Sequence, residues 1–170
     1  MTVLEKKICM MGAPGVGKTS LVRRFVDSVF SEKYMSTIGV KIDRKTVELD
    51  DLTVNLMLWD LQGEDAYQWV RMQYLRGASG YILVADGTRA DTFEVAMGLQ
   101  ENAAGRSDDL PFVLCLNKAD LWGQWAISAT QQAWLKEKGW TVFQTSAKSG
   151  DGVEDAFFDL ATRMIERQNG

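Results

Sequence analysis

Apolar runs of strand length recur along the chain, with helical stretches between them. VLEKKICMMG, VNLMLWD, GYILVAD, PFVLCLN and WTVFQTS read as strands, several of them nearly continuous in apolar residues. A strand covered on both faces needs apolar side chains at both phases of its two-residue period, so such runs suit a parallel sheet. KIDRKTVELDD, residues 41–51, alternates instead and turns at Asp50-Asp51 into the next strand. That pattern predicts a hairpin and one antiparallel edge strand. Val153, Ala156, Phe157, Leu160, Ala161 and Met164 mark one face of a helix at the end of the chain. Asp151 followed by Glu154 predicts its N-terminal cap. Weaker helical patterns cover residues 17–28, 66–76, 92–104 and 127–138, and there is no internal repeat or linker-like stretch. The alternation predicts a single α/β domain over residues 1–170, with helices on both faces of a twisted sheet.

The composition narrows the chemistry. At 170 residues, 46 % hydrophobic and 25 % charged, the chain is long enough to bury a core without disulfides or metals. A formal charge of −4 argues against a broad nucleic-acid surface. Histidine is absent, which removes every scheme that needs a histidine base or metal ligand. Cys9 and Cys115 each sit inside an apolar run and are expected to be buried free thiols on adjacent strands, in a reducing, cytoplasmic setting. MTVLEKK is charged where a signal peptide is apolar, and no apolar run approaches about 18 residues. IERQNG carries no cysteine for prenylation, so a soluble chain with no direct membrane anchor is expected.

GAPGVGKT, residues 12–19, fits G-x-x-x-x-G-K-[ST], after a strand and before a helix. The alternative is a glycine-rich turn with a solvated lysine. In the phosphate-binding reading the glycines let successive N–H groups point inward at a helix N-terminus. Lys18 would then neutralise the β and γ phosphates, and the Thr19 hydroxyl would hold Mg²⁺. The cradle comprises Ala13, Pro14, Gly15, Val16, Gly17, Lys18, Thr19 and Ser20. This loop leaves ATPases, kinases and GTPases open. NKAD, residues 117–120, ends a strand on the side where such sheets bind ligands. An aspartate there can accept both N–H donors of a guanine edge, a pair that adenine lacks. SAK, residues 146–148, ends the following strand and could meet the base from the other side.

The ordered set GAPGVGKT, STIGV, WDLQGED, NKAD and TSAK resembles the Ras superfamily of small GTPases. STIGV, TVELDD, YLRGA and TSAKSGDGVEDAF are most similar to its Rab branch. The resemblance implies a six-stranded, mostly parallel sheet with one antiparallel edge strand and five flanking helices. It also implies GTP/GDP and Mg²⁺ as ligands, and switch loops at 31–41 and 60–76. Carried over position by position, Phe30 matches the aromatic that lies against the guanine, and Tyr34 the tyrosine that covers the phosphates. Thr37 matches the threonine that ligates Mg²⁺ only when the γ-phosphate is present. Asp60 matches the carboxylate that holds Mg²⁺ through water, and the Gly63 N–H would sense the γ-phosphate. Asn117, Lys118 and Asp120, with Ser146, Ala147 and Lys148, would enclose the base.

Three departures bear on catalysis. Glu64 stands where a glutamine orients the attacking water. Leu61 and Gln62 replace residues that are usually small or short, and Pro14 stands where glycine is commonest. No arginine is assigned as a finger in cis, so fast turnover would need a partner protein. A Rab-type effector face maps to Ile42, Trp59 and Tyr74, which could equally just cover the sheet. Core packing or helix anchoring is preferred over a partner site for Trp122 and Trp125. The expected function is therefore a slow GTPase switch, served by exchange or activating proteins, with Lys18, Thr37, Gly63 and Glu64 at the reacting phosphate. A catalytically inactive, guanine-nucleotide-gated scaffold is the alternative. An adenosine-nucleotide kinase or ATPase is a third reading, disfavoured by NKAD.

Overall fold

In the computed structural model, residues 2–26, 40–61, 74–106 and 109–169 are described. The elements in chain order are β1 (Thr2–Met11), α1 (Lys18–Val26), β2 (Val40–Leu49), β3 (Leu52–Leu61), β4 (Gly80–Asp86) and α2 (Ala90–Arg106). They continue with β5 (Phe112–Asn117), a 3-10 helix (Ala119–Gln124), α3 (Ala129–Glu137), β6 (Val142–Gln144) and α4 (Val153–Asn169). The six strands form one sheet in the order β2-β3-β1-β4-β5-β6. β1 runs parallel to β3 and β4, and the β4–β5 and β5–β6 pairs are also parallel. Only β2 and β3 are antiparallel, joined through the Asp50-Asp51 turn as the alternation predicted. Asp50 has φ 53 there, a left-handed conformation that aspartate tolerates better than most residues.

Burial explains the strand patterns. All seven residues of β4 are buried, as its continuous apolar run requires, whereas β2 alternates and lies at the sheet edge. One face of the sheet packs Ile8, Met10, Leu58 and Val84 against Leu21 and Phe25 of α1 and Phe157 and Leu160 of α4. Phe25 and Phe157 stack with ring centroids 4.1 Å apart. The other face packs Cys9, Met11, Leu83 and Leu116 against Phe93 and Leu99 of α2 and Leu135 of α3. Each such side chain contributes about 1.5–3 kcal/mol when fully buried. The six positions predicted for the apolar face of α4 are all buried.

Several expectations change in detail. α4 begins at Val153, so Gly152 is the flanking residue and Glu154 the second helical one. Asp151 and Glu154 keep the three-residue spacing of a capping box but sit one position too early for it; Gly152, with φ 71, makes the turn into the helix. A capping box does occur at α3, where Gln131 N donates to Ser128 Oγ (3.0 Å) and Ser128 N donates to Gln131 Oε1 (2.9 Å). β6 is shorter than WTVFQTS predicts, because it pairs only with β5 at the edge and Trp140 turns to meet Phe112 edge-on. Residues 66–73 of the helix predicted at 66–76 lie outside the described residues.

The cysteines are free and buried, but not on adjacent strands. β4 lies between β1 and β5, and Cys9 and Cys115 belong to the cores on opposite faces. Burial pushes both thiols up to about 12; for Cys9, the nearby Lys7 and the contact with Tyr74 offset only part of the rise. A chromogenic disulfide reagent at neutral pH is expected to leave the native protein unmodified and to titrate both thiols after unfolding. Rapid colour from folded protein would overturn the burial assignment.

Candidate functional site

The loop between β1 and α1 is shaped by its glycines. Gly15 and Gly17 have φ 78 and 101, where L side chains are strained. A Cβ on Gly12 would overlap the Val84 carbonyl oxygen, so the loop's start lies directly against β4. The loop opens onto the N-terminus of α1, whose first turn has no acidic residue. That end of the helix can therefore receive an anion. Lys18 Nζ folds back to donate to the Gly12 carbonyl (2.9 Å). Residues 13–20 line a cleft of about 440 Å³ together with Asp60 and Lys118.

Three polar residues close apolar strands at this edge of the sheet. Asp60, in β3, is fully buried and accepts a 2.6 Å hydrogen bond from Thr19 Oγ1. Asn117, at the end of β5, donates from Nδ2 to the Val16 carbonyl (2.9 Å) and accepts from Thr145 Oγ1 (3.1 Å). Asp86, at the end of β4, pairs in register with Asn117. Its Oδ1 accepts from Thr88 N (2.9 Å) and Thr88 Oγ1 (2.6 Å), while its Oδ2 lies 2.8 Å from Lys118 Nζ. Burial alone pushes the Asp86 carboxyl up, but the Lys118 ammonium and the two Thr88 donors outweigh it, and the pKa falls below the ordinary 3.8.

Beyond β5 the chain turns at Lys118, which has φ 68 and ψ 37 and donates from Nζ to the Gly15 carbonyl (3.3 Å). Asp120 is exposed, and its Oδ1 accepts from the buried Ser146 hydroxyl at 2.8 Å. One hydroxyl occupies only part of a carboxylate's acceptor capacity, so Asp120 can still receive two N–H donors. β6 ends at Gln144, so Ser146, the half-buried Ala147 and the exposed Lys148 lie just past the strand. Ser149 N donates to Ser146 Oγ (3.1 Å), fixing that turn.

The fold therefore brings residues 13–20, Asp60, Asn117, Lys118, Asp120 and Ser146 to one end of the sheet. The predicted site residues Phe30, Tyr34, Thr37, Gly63 and Glu64 lie outside the described residues, as does Gln62. Sequence reading missed Asp86, Thr88, Thr145 and Arg89, whose Nη1 donates to the Pro14 carbonyl (3.4 Å). The signal for Asp86 was present: a carboxylate closing GYILVAD, as Asp60 closes VNLMLWD.

Thr19 and Asp60 offer oxygen donors only, side by side, which fits a hard dication such as Mg²⁺. Ile42 is the cross-strand partner of Trp59, and the Trp59 and Tyr74 ring centroids are 6.2 Å apart. Tyr74 is only 8 % exposed, and its hydroxyl donates to the Met10 carbonyl (3.1 Å). Lys7 Nζ lies 3.9 Å from the Trp59 ring centroid. Of the two tryptophans after NKAD, Trp125 meets the core-packing expectation and Trp122 does not. Trp122 is 78 % exposed on the 3-10 helix, so it does not pack in the core. Trp125 does pack against the second core layer, where its ring covers Gly87. No helix among the described residues is long and apolar enough to cross a membrane.

A family model described as Ras, the Ras family, matches residues 7–166. The chain is 38 % identical over 163 residues to Ras-related protein RABD2a of Arabidopsis thaliana, an alignment that covers 95 % of this chain and 80 % of that protein.

Proposed function

The chain belongs to the Ras family as a Rab-like small GTPase, and from that premise we propose that it is a GTP/GDP switch with slow intrinsic hydrolysis. The observation that carries this reading is the 2.9 Å bond from Asn117 Nδ2 to the Val16 carbonyl. It fastens NKAD to the phosphate loop, which supports a single ligand that presents a base and a polyphosphate together. Asp120 reads the guanine edge, with Ser146, Ala147 and Lys148 behind the base and Phe30 against its face. Backbone N–H groups of residues 15–20 and the Lys18 ammonium bind the phosphates, and Tyr34 covers them. Thr19, Thr37 and, through water, Asp60 would hold Mg²⁺, which would neutralise phosphate charge.

Hydrolysis in this reading is in-line attack of water on the γ-phosphate, with the Gly63 N–H and Lys18 stabilising the charge that spreads over its oxygens. Glu64 sets the slow rate. A glutamine there can donate to the phosphate while accepting from water, whereas an ionised glutamate accepts only and adds negative charge. Loops 31–41 and 60–76 report the γ-phosphate to an effector at Ile42, Trp59 and Tyr74, while exchange and activating proteins set the cycle, in the cytoplasm. Glu64→Gln is expected to speed single-turnover hydrolysis at saturating Mg²⁺ by at least about tenfold, or roughly 1.4 kcal/mol of barrier. A slower variant would make Glu64 catalytic. A parent that forms no GDP in the same assay would favour the nucleotide-gated scaffold, the reading that Pro14 and Glu64 together support.

A further inference from the structure

Asp86 is a puzzle on charge alone. It places a carboxylate, its side chain 1 % exposed, beside a cleft suited to polyphosphate. Such a charge weakens anion binding by repulsion unless it serves another group. Its two oxygens have separate partners. Thr88 takes Oδ1 with its amide and hydroxyl, which fixes the carboxylate plane. Oδ2 is buried, and among the described residues it has only the Lys118 ammonium to neutralise it.

Lys118 needs such a partner. Its backbone is left-handed, a conformation that non-glycine residues hold only when their surroundings over-determine it. Its side chain is 37 % exposed and ends on a flexible four-carbon stem, so an unpaired ammonium would sample solvent. Paired with Asp86, it is held where it also reaches the Gly15 carbonyl. The strap thus runs from the end of β4, through Lys118 after β5, to the phosphate loop after β1.

We infer that Asp86 is a positioning residue of the nucleotide site, holding Lys118 against the phosphate loop and so slowing nucleotide release. The inference rests on the guanine-nucleotide reading above and adds a residue that lies outside its motifs. The pair is also close to neutral, so it adds little net charge at the phosphate loop.

Repulsion and positioning predict opposite signs. Asp86→Asn removes a negative charge at nearly constant shape, so repulsion alone would tighten binding. Positioning predicts faster release. The test is a chase of bound fluorescent GDP from full-length protein at saturating Mg²⁺, for the parent, Asp86→Asn, Lys118→Met and the double variant. Asp86→Asn is expected to release GDP about tenfold faster, the loss of one charge-assisted contact. The double variant is expected to release no faster than the more damaged single variant, because both changes break the same strap. Unchanged or slower release from Asp86→Asn, or effects that multiply in the double variant, would overturn the inference. Thr88→Val guards against a variant that fails to fold: it loosens the carboxylate without removing it and is expected to speed release about threefold. Release equal to the parent's would overturn the inference there too. A parent that holds no GDP overturns the nucleotide reading, and this inference with it. A parent that holds GDP beside indifferent variants overturns this inference alone.

Discussion

Replacing Asp120 with asparagine is expected to cost about 2–5 kcal/mol of GDP affinity, tens- to thousands-fold, while affinity for xanthosine nucleotides rises. The carboxylate accepts two N–H donors from guanine as charge-assisted bonds. An amide offers one acceptor and then turns its own donors toward guanine's donors. Xanthine replaces one of those donors with an acceptor, so the same amide suits it. The geometry makes the substitution clean: Ser146 Oγ lies 2.8 Å from Asp120 Oδ1 and can keep an asparagine oriented. Competition calorimetry with GDP, ADP and XDP checks it. Equal affinity of the parent for GDP and ADP would overturn the guanine assignment and return the chain to the kinase or ATPase reading.

Gly17→Ala is expected to weaken GDP binding at least about hundredfold, near 2.7 kcal/mol, and to lower Tm by about 5–15 °C. Two effects combine. At φ 101 an alanine backbone is strained, by about 1–3 kcal/mol. The new Cβ would also overlap the Asn117 side-chain amide, forcing it off the Val16 carbonyl and leaving that buried donor unsatisfied. The same substitution at Gly98 is the control. It lies inside α2 with open space around its Cα, so alanine there is expected to stabilise by about 0.5–1 kcal/mol and to leave binding unchanged. Thermal melting and GDP titration of the two variants separate a loop effect from a general glycine effect. A Gly17→Ala protein that binds GDP like the parent would show that this turn does not shape the phosphate cradle.

How much of this was legible beforehand depends on the range of the interaction. The strands, the hairpin and the buried face of α4 could be read because each depends on a short-range period: two residues for a half-covered strand, none for a strand covered on both faces, 3.6 for a helix. The phosphate loop could be read because only glycine occupies φ 78 and 101 without strain, so backbone geometry appears directly in residue identity. NKAD could be read because a polar cluster closing a buried strand is conspicuous in the chain.

Neighbour relations could not be read that way. Periodicity says that Cys9 and Cys115 are inside, but only the strand order puts β4 between them and the two thiols on opposite faces. Trp122 and Trp125 have the same local composition, yet one projects from the 3-10 helix and the other covers Gly87, because only a residue across the fold offers a surface to cover. Asp86 was visible as the end of an apolar run, but its partner was not, since Lys118 meets it only when β4 and β5 lie in register. The chain by itself thus determined the elements, the phosphate loop and the base motif, each encoded over a few residues. The tertiary structure alone decided which strand ends meet, because contacts such as Asn117 to Val16 join residues far apart in sequence and depend on the packing of the whole sheet.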